Sequence, residues 1–267
     1  MKKLTHASNV IYGTPWMMES GWFNLVCGIF ESHLAGKIPV QIQEKQQRAE
    51  PQQQSGVAVL GIYGPILPRA ALMGNVSTCG ISSEQIANAV KEASMMDGVD
   101  TIVLDVDTPG GSTIGAFEAA DTIRDVAQNS EKEVIASING IGASLGYLLA
   151  SQANQVFASR GSRVGSIGVV SAYQEKTEPG VTRSIVVAVP HSKSPHNMDD
   201  AEISERMMDD AMRYFVMFKD QINSTRAGRI KMDEAATGEV FFAEDALRLG
   251  LIDGVGTLSD VLESLKK

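Results

Sequence analysis

From Val57 onward, short β-branched runs alternate with stretches of helical periodicity, and that alternation leaves few folds open. Residues 57–62, 101–106 (TIVLDV) and 134–138 are nearly continuous apolar runs bounded by turn residues, as expected of strands covered on both faces. Residues 82–95 read as a helix with a Ser cap and with Glu84 and Gln85 in its first turn. Residues 113–127 read as a helix with Phe117, Ala120, Ile123 and Val126 facing inward. A small-residue helix is expected over 143–153, then strands at 155–158, 166–170 and 182–188. A long Met-rich helix over 199–227 and a tail helix at 258–265 follow. Strands joined by helical crossovers imply an α/β fold with a mainly parallel, buried sheet.

The first fifty residues read differently. Trp16, Met17, Met18, Trp22, Phe23, Leu25, Val26, Ile29 and Leu34 give residues 14–35 the pattern of one amphipathic helix, or two short ones. Few Lys or Arg accompany them, so packing on protein is expected rather than a membrane surface. Residues 41–56 are polar and Gln-rich and read as a flexible linker. The expected organisation is a helical arm at 1–40, a linker at 41–56 and an α/β domain at 57–267.

Composition narrows the function. A net charge of −9 argues against a broad basic face for nucleic acid. No apolar stretch is long enough to span a bilayer. Cys27 and Cys79 are too few for a disulfide framework and match no zinc spacing. A soluble protein of a reducing cytoplasm is expected, with no metal or organic cofactor.

Three glycine-punctuated strand ends carry the candidate chemistry, and in α/β sheets ligands bind beyond the carboxyl ends of strands. The first is Asp107-Thr108-Pro109-Gly110-Gly111-Ser112, after TIVLDV. Adjacent glycines let a backbone turn sharply and approach a ligand, so this is either half of an oxyanion hole, with the Gly111 N–H as donor, or an ordinary turn. The second is Gly140-Ile141-Gly142-Ala143-Ser144-Leu145-Gly146, which fits the G-x-S-x-G pattern of nucleophile elbows. It offers Ser144 as nucleophile and the Leu145 N–H as a second oxyanion donor. The third is Gly165-Ser166-Ile167-Gly168-Val169, a tight loop feeding a strand.

A serine needs a base. Four histidines are present: His6, His33, His191 and His196. A lysine can serve if burial brings its pKa well below the usual ~10.4. Lys193, in the loop His191-Ser192-Lys193-Ser194-Pro195 after an apolar strand, is the candidate.

In this order and spacing, Thr108-Pro109-Gly110-Gly111, Ser144, Gly165-Ser166-Ile167-Gly168-Val169 and Lys193 resemble the signal peptide peptidase A family of serine peptidases, the S49 family. The C-terminal signature from Gly238 to Asp253, after a long helix ending near an arginine, resembles it too. The resemblance implies a crotonase/Clp-peptidase-like core of repeated ββα units, here with an N-terminal helical arm. It also implies a Ser144–Lys193 dyad, with Ser166 orienting the lysine and an oxyanion loop of Pro109, Gly110 and Gly111 completed by Leu145. The family's usual lysine loop is longer than the one here.

The Tyr12-Gly13-Thr14-Pro15-Trp16 start and the arm behind it resemble the phage branch, whose members are prohead proteases. That implies scaffold or capsid proteins as substrates, a homo-oligomeric ring, and action in the host cytoplasm or inside a procapsid. The rival readings are a cytoplasmic signal-peptide-peptidase-like protease, an esterase using Ser144 with His191 or His196, a crotonase-type acyl-CoA enzyme, and a non-catalytic assembly factor.

Overall fold

The computed structural model describes residues 15–34, 50–54, 56–67, 80–178, 181–189 and 201–266. The chain enters through strand β1 (Trp16–Met18) and helix α1 (Ser20–Leu34). Then come β2 (Gln52–Gln54), β3 (Val57–Tyr63), β4 (Ile66–Leu67), β5 (Ile81–Ser82) and α2 (Ser83–Met95). The next units are β6 (Thr101–Thr108), β7 (Gly110–Ser112) and α3 (Ala116–Asn129), followed by β8 (Glu133–Ala143), α4 (Leu145–Ala150) and β9 (Gln155–Ala158). Strands β10 (Arg163–Gly165), β11 (Val169–Glu178) and β12 (Val181–Val189) precede the long helix α5 (Ala201–Arg226). The chain closes with α6 (Met232–Ala235), β13 (Val240–Phe242), α7 (Ala243–Arg248), β14 (Gly254–Val255) and α8 (Leu258–Ser264).

The strands make two sheets. The larger runs β13-β10-β8-β6-β3-β2, with β9 and β14 attached beside β8. Its interior pairs β3–β6, β6–β8, β8–β9 and β8–β10 are parallel, and the edge strands β2 and β13 pair antiparallel. The mainly parallel α/β sheet expected from the alternation is therefore present. The second sheet runs β12-β11-β1-β7-β4-β5. A repeated unit links the two: a long strand of the first sheet (β3, β6), a short one of the second (β4, β7), then a helix (α2, α3).

Local sequence explains the helices. Ser82 accepts the Gln85 N–H at 3.1 Å, and the Gln85 side chain accepts the Ser82 N–H at 2.9 Å, a reciprocal cap at the start of α2. Ile86, Ala89, Val90 and Ala93 then fall on one buried face at three- and four-residue spacing. In α3, Ala116, Ala119, Ala120, Ile123, Val126 and Ala127 do the same, while Phe117 lies at the rim, stacked on Tyr214. The small alanines let the helices approach the sheet closely.

Four expectations need correction. Trp16–Met18 is a strand with all three residues buried, and the helix begins only at Ser20. Clustered apolar residues read as helix because a three-residue strand is too short to display a period of two. Part of the expected linker, Gln52–Gln54, pairs with β3 as an edge strand, while residues 41–49 lie outside the described residues. The strand expected over 166–170 is divided: β10 ends at Gly165 in the larger sheet, and β11 starts at Val169 in the other. The chain breaks out at Ser166, where φ is 53°. Finally, β8 runs on to Ala143, so the helix expected from 143 starts at Leu145.

Candidate active site

Among the described residues, two that are not glycine have φ in the left-handed region: Ser144 and Ser166. Ser144 stands between the end of β8 and the first residue of α4, at φ 56° and ψ −115°. Such a backbone costs a residue with a Cβ on the order of 1–3 kcal/mol and persists only where its surroundings impose it. Here the Ser144 N–H donates to Gly165 O at 2.7 Å, and its carbonyl accepts the Leu148 N–H at 2.9 Å. The hydroxyl donates to Gly168 O at 3.3 Å.

Gly110 brings the glycine loop between β6 and β7 to this serine. Its φ is 99°, and a Cβ there would stand 2.2 Å from Met17 O, 2.9 Å from Ala143 O and 3.0 Å from Leu145 N. Only glycine allows β7 to lie so near the 143–145 backbone. Gly111 is closed in the same way, since a Cβ would meet Ile66 O at 1.8 Å. The turn itself is fixed by Thr108, whose buried hydroxyl donates to Gly64 O at 2.6 Å and accepts the Gly110 N–H at 3.1 Å. The Asp107 carboxylate accepts the Ile141 N–H at 2.9 Å and ties the end of β6 to β8. Leu145 opens α4, so its N–H has no acceptor within the helix.

Ser166 is the counterpart of Ser144 one strand over. β8 and β10 run parallel with Gly165 opposite Ala143, so the two serines leave neighbouring strands at the same level. The Ser166 N–H donates to Glu239 O. Its hydroxyl is buried and has no hydrogen-bond partner among the described residues. Ser144, Leu145, Pro109, Gly110, Gly111 and Ser166 are thus gathered at the carboxyl ends of β6, β8 and β10. Lys193, His191 and His196 lie outside the described residues.

Behind the serine, Tyr147, Arg226 and Asp253 form a paired polar scaffold. The buried Tyr147 hydroxyl donates to Leu251 O at 2.9 Å, and burial pushes its pKa far above the ordinary range. Arg226, at the end of α5, is buried and grips Asp253 through two bonds of 3.0 and 2.9 Å. Burial alone would raise the Asp253 pKa. The Arg226 hydrogen bonds and charge, the Val156 N–H and Arg229 together hold it below the usual carboxylate value. This pair ties the C-terminal signature to α5 and β9.

The sequence profile of Peptidase family S49 matches residues 126–267, more than half of the chain and including both serines. The chain belongs to peptidase family S49. This S49 chain is 25% identical, over an alignment of 300 positions, to capsid assembly protease C of Escherichia phage lambda, covering 100% of the chain and 66% of that protein. It is 29% identical over 218 residues to the head-tail preconnector protein GP5 of Enterobacteria phage P21, covering 78% of the chain and 42% of that protein. It is 28% identical over 227 residues to the chloroplastic serine protease SPPA of Arabidopsis thaliana, covering 79% and 32%. The S49 chain therefore spans less than two thirds of the length of these relatives.

Reading residue types at strand ends placed Asp107 and Thr108 in the glycine loop of this S49 chain but gave neither a role. Both stand inside the glycine loop and hold it by hydrogen bonds. Their signal was their place directly before Pro109-Gly110-Gly111. It also missed Met17, whose carbonyl faces Gly110, and no motif marks that residue.

Proposed function

We propose that this chain is a serine endopeptidase in which Ser144 is the nucleophile and Lys193 the general base. One observation carries the reading: Ser144 is held at a strained backbone where the Gly110 backbone and the Leu145 amide meet it. Strain of that kind at the end of a central strand is what a nucleophile elbow requires.

In the proposed reaction, neutral Lys193 takes the Ser144 hydroxyl proton as Oγ bonds to the peptide carbonyl carbon. The Gly111 and Leu145 N–H groups hold the resulting oxyanion, a role for which each donor is typically worth about 3 kcal/mol. The C–N bond then breaks, and the lysine ammonium gives its proton to the leaving amine. Water, deprotonated by the same lysine, releases the acyl group and restores Ser144. The unpartnered, buried Ser166 hydroxyl supports a role in holding the lysine amine. The reaction as written uses no metal or organic cofactor.

For substrate, the likeness to the two phage proteins supports scaffold or capsid proteins, processed inside a procapsid. Self-association is part of the proposal. Ala211, Phe215, Phe218 and Ile222 of α5 face the core, whereas Met212, Val216 and Met217 stay exposed and offer a second copy an apolar contact. Among the described residues no helix is long and apolar enough to cross a membrane.

The test is a pH–rate profile with a scaffold protein as substrate. Activity should rise with pH through a lysine pKa well below ~10.4, and Lys193→Arg should be as inactive as Lys193→Ala, because guanidinium keeps its proton. An active Lys193→Arg enzyme would dismiss the dyad.

A further inference from the structure

Strand β1 occupies an unusual place. It lies in the second sheet between β7 and β11, antiparallel to both, with Trp16 opposite Ser112 and Val170, Met17 opposite Gly111 and Met18 opposite Gly110. Its flanks are tied down as well. Thr113 Oγ1 donates to Pro15 O at 2.8 Å, and the Glu19 N–H donates to Pro109 O at 2.9 Å. Among the described residues, the strand pairings of this segment are therefore with the oxyanion loop and with the strand that follows Gly168.

Without β1, the second sheet would fall into two pieces, β12-β11 and β7-β4-β5. The gap between them would be two strand spacings, about 9–10 Å, which is room for one extended chain. An extended peptide can be captured as an added strand through main-chain hydrogen bonds. In the structure that position is taken by the chain's own residues. Trp16, Met17 and Met18 are each 0% exposed, and so is Ser144. Met17 O and Leu145 N both lie within 3.0 Å of the point where a Cβ on Gly110 would stand. A backbone carbonyl of the arm therefore packs on Gly110, the same glycine that the Leu145 amide approaches.

We propose that Trp16–Met18 is a self-inhibiting strand that fills the substrate position and covers Ser144, so that the arm must leave before a substrate enters. The proposal rests on the peptidase reading above. The build of the arm suits release. α1, which follows β1, buries Phe23 against Trp16 but leaves Trp22 and Leu25 exposed. Substrate affinity is then reduced by the fraction of molecules in which the arm is in place.

The experiment uses the full chain carrying Ser144→Ala, with and without Met17→Pro, which removes a strand N–H. The probe is a fluorescein-labelled peptide with the sequence of residues 15–19, followed by anisotropy. The expected result is binding about tenfold tighter to the Met17→Pro chain. Equal or weaker binding by a folded Met17→Pro chain overturns the proposal. If Met17→Pro does not fold, hydrogen exchange of the unaltered chain decides. The Trp16, Met17 and Met18 amides should exchange at least about tenfold faster than those of β6 and β8, and exchange at the same slow rate overturns the proposal. Fluorophosphonate labelling of Ser144, in a Met17→Pro chain that keeps Ser144, separates the two ideas. Tighter peptide binding with no labelling sinks the peptidase reading alone. Labelling at the unaltered chain's rate with unchanged binding sinks the strand alone.

Discussion

The Ser144 N–H donates to the carbonyl of Gly165, the residue directly before Ser166, at 2.7 Å. That bond sets two serines with positive φ side by side at the ends of parallel strands. One has its hydroxyl on Gly168 O, and the other's is buried with no partner among the described residues. A buried hydroxyl left in this state is a ready partner for an amine. If the hydroxyl holds the lysine amine, replacing Ser166 by alanine removes one hydrogen bond and should lower stability by no more than about 1 kcal/mol. Activity should fall and its pH profile move to higher pH, because the neutral amine loses a hydrogen-bond donor. An unmoved profile would confine Ser166 to a structural role.

The strain at Ser144 predicts a trade between stability and chemistry. Glycine relieves a positive φ that alanine does not, so Ser144→Gly should be about 1 kcal/mol more stable than Ser144→Ala in urea unfolding. Both should lose all proteolysis. A Ser144→Gly chain no more stable than Ser144→Ala would mean that the backbone there is unstrained.

Gly110 has no room for a methyl group. The positive φ and the approaches of 2.2 Å to Met17 O and 2.9 Å to Ala143 O all oppose Gly110→Ala. The loop must shift away from Leu145, and kcat should drop by about 100-fold or more, the scale of a lost oxyanion donor. A variant with near-normal kcat would remove this loop from the oxyanion site.

The Arg226–Asp253 pair predicts a pH dependence of stability. Asp253 has a folded-state pKa below its unfolded value. Its contribution is then fully present above the unfolded value near 4 and is lost as pH falls through the folded one. At pH 7, Asp253→Asn should melt well below the unaltered chain, since it leaves the buried Arg226 charge without its counter-ion, a loss of about 3 kcal/mol. The gap in melting temperature should narrow as pH falls below about 4. A gap constant from pH 7 to 3 would show that the carboxylate charge contributes nothing.

What the sequence determined by itself is local. The runs at β3, β6 and β8 are β-branched and bounded by turns, the caps of α2 lie within four residues, and the Gly110-Gly111 and Gly142–Gly146 loops stand directly at strand ends. Those features fixed the parallel sheet and brought Ser144, Leu145 and Gly111 forward as one group. What only the tertiary structure decided is long-range. Nothing in Trp16-Met17-Met18 announces that it will pair with residues 110–112 and 170, because main-chain hydrogen bonds between strands leave no mark on side-chain type. The break at Ser166 was hidden for a related reason. A positive φ is expected of glycine, and at a serine it arises only when β10, the Glu239 carbonyl and the second sheet pull the chain in different directions.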